Sequence, residues 1–198
     1  MCRTKNNTLT DTVHRICTDH IVDTYINRDN AVAAFTEILE IINHSLNTLY
    51  LQHKKSDISI FLGLLIENHL HFSTFGSDLT GIIVSDKNVE DILNDMDTGE
   101  GHFVYDSHGD IRDEETLYIF APKIDTHVIG NECKTIEHLS LAERSELLGE
   151  RLQRSYIEDG IIMSIGEEKK TQKKEHWNAE KINKKSQSKI VIENMSLA

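Results

Sequence analysis

Two short stretches carry side chains of the kind that bind metal ions. Asp106-Ser107-His108-Gly109-Asp110 puts two carboxylates and an imidazole within five residues, with His102 close by in sequence. Such O and N donors suit several divalent cations. A metal centre needs converging ligands, however, and a glycine-containing stretch of five usually closes a turn with Asx-type hydrogen bonds, which is the preferred reading. His69 and His71 stand two apart in a segment of strand-like alternation, so both imidazoles project from one face. That spacing holds zinc when a third ligand arrives from elsewhere. The plainer reading, a half-exposed strand face, is preferred here too.

Other chemistries find less support. Cys133 lies between Glu132 and Lys134, with His138 five residues on. A nucleophilic thiol needs a base and a low pKa. One neighbour of each sign supplies neither, so Cys133 reads as an ordinary loop cysteine. There is no Gly-x-Ser-x-Gly, no phosphate-cradling glycine loop, no His-Glu-x-x-His and no C2H2 spacing. The stretch from Asp78 to Glu115 carries twelve acids against Lys87 and Arg112. Acidic loops collect divalent cations or basic partners, but most are simply solvated.

The elements that must position these residues follow from periodicity. Residues 9–26 read as a helix capped by Thr10 or Asp11. Asp29 or Asn30 caps a second, over 31–51, whose apolar residues Val32, Phe35, Ile38, Leu39, Ile42, Leu46 and Leu49 share one face. The period changes at Ile58. Residues 58–66 form an apolar run of strand length, expected to be buried on both faces or nearly so. Glu67-Asn68 makes a two-residue turn, and His69 to Phe75 returns with Leu70 and Phe72 on one face and His69, His71 and Ser73 on the other. Strands follow over 81–84, 116–121 (closed by Pro122) and 161–165. Residues 135–155 read as a helix with a capping box at Ser140 and Glu143. The order predicts an α+β fold, in which an antiparallel, sandwich-like β-sheet is covered by long helices.

Composition bounds the rest. The chain has 198 residues, 38 % hydrophobic and 27 % charged, with a formal net charge of −12. No apolar run reaches the ~18 residues of a membrane span, and no apolar stretch follows Met1 to suggest a signal peptide. The scattered cysteines Cys2, Cys17 and Cys133 form no CxxC pair and fit a reducing cytoplasm, the expected location. Charge divides the chain. Residues 1–168 hold 13 Lys and Arg against 30 Asp and Glu, whereas residues 169–189 hold eight lysines against two glutamates. A domain is therefore expected over 1–166, with a mobile Lys-rich tail over 167–198. So acidic a body does not bind nucleic acid by counterion release. Only the tail could grip an anionic partner.

Several stretches together resemble the PPM-type, metal-dependent protein serine/threonine phosphatases (protein phosphatase type 2C) across residues 9–166. The long helix ending Asn43-His44-Ser45-Leu46-Asn47 resembles the family helix that precedes its central hairpin. Asn68-His69-Leu70-His71-Phe72-Ser73-Thr74-Phe75-Gly76 resembles the strand leading into the Gly-Asp motif. Asp113-Glu114-Glu115-Thr116-Leu117-Tyr118-Ile119-Phe120 resembles the strand before the Asp-Gly motif, and Glu158-Asp159-Gly160-Ile161-Ile162-Met163 the closing strand. The resemblance implies a β-sandwich flanked by helix pairs. It also implies aspartates holding Mg or Mn ions that activate water for attack on phosphoserine or phosphothreonine.

The departures bear on that chemistry. The chain reads as starting at the first helix, a truncated version without the family's early strands and their Asp-Gly-His-Gly-Gly motif. Asp106 to Asp110 mimics that motif but lies on the wrong side of the hairpin. The Gly-Asp position has Gly76-Ser77, with Asp78 one place late, and the Asp-Gly position has Pro122-Lys123. Asp78 and Asp159 are the remaining metal candidates. The expectation is a catalytically inactive phosphatase-like domain, without a cofactor, that acts on a protein partner as a binding or regulatory module. One alternative is a Mg- or Mn-dependent phosphoprotein hydrolase built from Asp78, Asp95, Asp106, Asp110 and Asp159. Another is a scaffold whose basic tail binds an anionic partner.

Overall fold

A computed structural model describes residues 1–4, 7–26, 30–52, 58–76, 78–93, 103, 107–155, 160–167 and 188–195. The described elements run β1 (Cys2–Thr4), α1 (Asn7–Ile26), α2 (Ala31–Gln52), β2 (Ile58–Ile66), β3 (His69–Phe75), β4 (Thr80–Val84) and β5 (Val89–Asp91). They continue with β6 (Ser107–Asp110), β7 (Thr116–Ala121), α3 (Thr126–Thr135), α4 (Leu141–Ser155), β8 (Gly160–Glu167) and β9 (Ser188–Met195). The strands form two antiparallel sheets, ordered β1-β2-β3-β6 and β5-β4-β7-β8-β9.

Alternation along the strands divides the apolar residues among three cores. Phe61, Leu70 and Phe72 of the first sheet meet Leu117, Ile119, Met163 and Ile165 of the second, which makes the sandwich interior. Ile58, Ile60 and Phe75 point out of the first sheet onto Val13 of α1 and Phe35, Ile38, Leu39, Ile42 and Leu46 of α2. Ile82, Tyr118, Phe120 and Ile162 point out of the second sheet, where Ile129 and Cys133 of α3 and Leu148 and Leu152 of α4 cover them. The layers are therefore helices, sheet, sheet, helices. Each fully buried Leu, Ile or Phe contributes roughly 1.5–3 kcal/mol to holding them together.

Local signals place the helix starts. Asn30 Oδ1 accepts the backbone N–H groups of Val32 and Ala33 at 3.0 and 3.2 Å. Ser140 and Glu143 form the expected capping box: the Ser140 N–H donates to Glu143 Oε2 at 2.9 Å, and the Glu143 N–H to Ser140 Oγ at 3.4 Å. The hairpin closes at Glu67–Asn68, with Glu67 at φ 55° and Ile66 facing His69. Gly76 ends β3 at φ 80°, and a Cβ there would lie 2.2 Å from the Ile58 carbonyl oxygen, so only glycine fits.

Several expectations need correction. A strand, β1, precedes the first helix and pairs with β2 through Thr4 and Ile58. The helix expected over 135–155 begins only at Leu141. Thr126–Thr135 forms a separate helix capped by Asp125, whose side chain accepts from the His127 and Val128 N–H groups. Residues 58–66 are not buried throughout, because the helices cover only the first half of β2; Leu64 is half-buried and Ile66 is 39 % exposed. The boundary at Gly166 falls inside β8, and Ser188–Met195, assigned to the mobile tail, pairs with β8 along its whole length. Residues 168–187, with most of the lysines, lie outside the described residues. Among the described residues no helix is long and apolar enough to cross a membrane.

Candidate functional site

Two regions gather the candidate side chains, at opposite ends of β3. The first lies just past its C-terminal end. Asp78 follows Gly76, and its Oδ1 accepts the backbone N–H of Lys123 at 2.9 Å. Lys123 follows Pro122 at the end of β7, where the Ala121–Pro122 bond is cis. Beside them Thr80 Oγ1 accepts the Ile124 N–H and donates to the Ile124 carbonyl, both at 2.8 Å. The two strand ends are thus laced through a carboxylate and a hydroxyl. Asp91 fastens the next segment, accepting from the Leu93 N–H at 3.0 Å and from the Thr126 hydroxyl. None of the bonds between Asp78 and Lys123, Thr80 and Ile124 or Asp91 and Thr126 was read from the sequence, because they join residues 35 to 45 positions apart with no local signature.

This is the region where the resemblance implies a cation site. Pro122 offers no side-chain donor atom where the resemblance expects a ligand carboxylate, Lys123 adds a positive charge, and Asp78 Oδ1 accepts from the Lys123 backbone. Asp159, Asp95 and Asp106 lie outside the described residues. Asp78 and Asp110 stand at opposite ends of β3 and are not brought together. Among the described residues no group of three or more His, Cys, Asp or Glu side chains could hold a metal ion.

The second region lies at the start of β3. Ser107–Asp110 is no turn; it is the edge strand β6, which pairs His108 with His71 and Asp110 with His69. The two stretches singled out separately in the sequence therefore meet on one sheet face. The ring centroids of His69 and His71 are 4.8 Å apart, and each lies 5.6 Å from that of His108. Nδ1 of His69 lies 2.6 Å from Asp110 Oδ1. On the other side of β6, at the open edge of the sandwich, a groove of about 500 Å³ is bordered by Glu90, Asp91, Asp110, Arg112 and Glu115.

Cys133 is not a loop residue. It is fully buried on α3, and burial raises its thiol pKa well above the ordinary value, with Glu137 and Glu132 adding to the effect. Burial also pushes the Cys17 thiol up to about 11. Thiols held protonated are inert as nucleophiles. Both are free of disulfides. The second sheet's helical layer also buries Arg144, which donates to the Leu139 carbonyl and the Thr116 hydroxyl at 2.8 and 2.9 Å and to Glu137 Oε1 at 3.3 Å. This ion pair is structural, closed off from solvent.

No protein-family model matches the chain, and no curated protein matches it in sequence. Among solved structures it is similar to the catalytic domain of the serine/threonine protein phosphatase PstP in complex with two manganese ions. The identity is 12 %, over 82 % of this chain and 83 % of that one, with a TM-score of 0.56. At that identity the likeness speaks for architecture alone. The chain has the fold of the PPM-type serine/threonine phosphatases, with Pro122 and Lys123 at a position where the resemblance expects a metal ligand.

Proposed function

We propose that the chain is a phosphatase-fold domain that carries out no phosphatase chemistry and works through its surface, as a binding or regulatory module for a protein partner in the cytoplasm. The observation that carries this reading is the bond from the Lys123 N–H to Asp78 Oδ1. Two-cation hydrolysis needs several carboxylates around hard cations, free to bind them through oxygen. Here the Asp78 carboxylate accepts from the Lys123 backbone N–H, beside an imino acid and a lysine. A reducing location is consistent with the unpaired, buried Cys17 and Cys133.

The test is a phosphatase assay of the full chain on phosphoserine and phosphothreonine peptides with Mg²⁺ or Mn²⁺. No metal-dependent turnover is expected. Turnover that vanishes in Asp78→Ala or Asp159→Ala would overturn the reading in favour of the hydrolase alternative. Partner capture lost on raising salt and on removing residues 169–187 would favour the basic-tail scaffold instead.

A further inference from the structure

We propose that the edge of β2 over residues 62–66 is a homodimer interface, which pairs antiparallel with the same edge of a second copy of this chain about a two-fold axis at Leu64. The inference rests on strand register and packing and is independent of any phosphatase chemistry.

Backbone direction supplies the first argument. Ile66 faces His69 across the two-residue turn, so the even-numbered residues of β2 exchange their hydrogen bonds with β3. The odd-numbered residues aim their N–H and C=O groups at the opposite edge. Phe61 shows this: its N–H donates to the Met1 carbonyl at 2.9 Å, and its carbonyl accepts from the Met1 ammonium at 2.8 Å. The β1 residues pair with Ile58, Ser59 and Ile60. The next two rungs, Gly63 and Leu65, have no strand beside them among the described residues. Natural sheet edges are usually guarded against pairing by lysine, proline or a bulge. Residues 62–66 read Leu-Gly-Leu-Leu-Ile, without charge or proline, and Gly63 is exposed.

Self-complementarity names the occupant. In a two-fold contact the same patch serves both copies, so residue i meets j and j meets i. With Leu64 opposite its counterpart, Gly63 of each copy exchanges both backbone hydrogen bonds with Leu65 of the other. Every outward N–H and C=O group of the two rungs is then satisfied. An axis at Gly63 would instead set Leu65 against Phe61, whose groups Met1 holds. An axis at Leu65 would set Gly63 against Glu67, which is in the turn at φ 55°. On the inner face Leu65 of one copy lies across from Gly63 of the other, which has no side chain to obstruct it. On the outer face Leu62 lies across from Ile66.

The outer face supplies the third argument. The helices leave an apolar groove of about 210 Å³ there, lined by Ile21 of α1, Phe35 and Ile38 of α2, and Leu62, Gly63 and Leu64 of β2. Ile66 is the large apolar side chain left exposed among the described residues. Pairing places each copy's Ile66 beside the other's Leu62, at that groove, so each copy covers apolar surface that the other leaves open. Five residues a side make a small interface of the transient class, so the dimer forms reversibly as concentration rises. The chain carries a net charge of −12 but the pairing strand carries none. Salt therefore screens repulsion between the copies and strengthens the dimer.

The test is sedimentation equilibrium of the full chain over a concentration series, with amide hydrogen exchange followed at its two ends. A reversible monomer–dimer equilibrium that tightens with added salt is expected. The Gly63 and Leu65 amides should exchange about tenfold more slowly at the high end, a readout on the unsubstituted chain that depends on no variant folding. Ile66→Lys, at an exposed position, sets an ammonium against the groove and should weaken dimerisation more than tenfold; His127→Lys on α3 should leave it unchanged. A chain that stays monomeric throughout would overturn the proposal. If its Gly63 and Leu65 amides then exchange freely, the edge is left to a strand of another protein; if they are already slow, a segment of this chain covers it. A dimer that keeps its affinity in Ile66→Lys, or that leaves the two amides unprotected, would place the interface on another face and overturn the proposal as well. None of these outcomes depends on phosphatase activity.

Discussion

Lys123 and Asp78, 45 positions apart, are joined by a hydrogen bond from backbone N–H to carboxylate that ties the end of β7 to the segment after β3. The donor is the Lys123 backbone, so the lysine side chain and the bond are separable. Asp78→Ala should cost about 1 kcal/mol, the usual net worth of one such bond. Lys123→Ala should stay within ~0.5 kcal/mol of the parent, as for most surface changes. Urea unfolding of the two variants checks this, and equal losses would show that the bond is not what matters there.

Leu39 lies 6 % exposed between α2 and the first sheet. Leu39→Ala should lose ~2–5 kcal/mol, the range for truncating a buried leucine. Leu64→Ala, in the half-covered part of β2, should lose less. Thermal unfolding that ranks the two variants the other way would place the helical cover elsewhere on β2.

Arg144 and Glu137 form a buried ion pair with 1 % and 9 % side-chain exposure. Removing one partner leaves the other charge buried alone, so Arg144→Ala should destabilise by ~3–5 kcal/mol. Replacing both, as Arg144→Met with Glu137→Leu, should recover much of that loss. A double-mutant cycle in denaturant measures the coupling, and strictly additive losses would show that the two do not act as a pair.

The buried thiols make stability depend on alkaline pH. Burial raises the Cys17 pKa from 9.0 to about 11, and raises that of Cys133 as well. With folded values above unfolded ones, their contribution is fully present below pH 9 and is lost as pH rises through the folded values. Unfolding free energy should therefore fall as pH rises from 9 to about 11, and the fall should be shallower in Cys17→Ala. Both thiols should also resist alkylation in the native protein at pH 8.

Much of the fold was legible because its signals are local. The 3.6-residue spacing of Phe35, Ile38, Leu39, Ile42 and Leu46 marks α2, and those residues do pack on the first sheet. Leu70 and Phe72 alternate with His69 and His71 as expected of β3, and Ser140 with Glu143 announces α4. The break between α3 and α4 was missed. Residues 126–135 are too polar to show a helical stripe, and Asp125 caps them just after Pro122 and Lys123, in what reads as a loop. The edge strand β6 was missed for a related reason. Ser107-His108-Gly109-Asp110 has almost no strand propensity of its own and is extended only because β3 offers a free row of backbone groups.

The same division runs through the candidate sites. Sequence by itself determined which residue types are present: two histidines on one strand face, a His-Gly-Asp stretch, and Pro122-Lys123 where the resemblance expects a metal ligand. Those are properties of neighbours along the chain. Tertiary structure alone decided that His108 lies beside His71 and Asp110 beside His69, that Asp78 is used by the backbone of Lys123, and that Cys133 is buried. Each of these is a contact between residues far apart in sequence, fixed by strand register and helix docking. No local spacing encodes such a contact, because the free energy that selects a register comes from burying whole faces and not from the few side chains that the register happens to bring together.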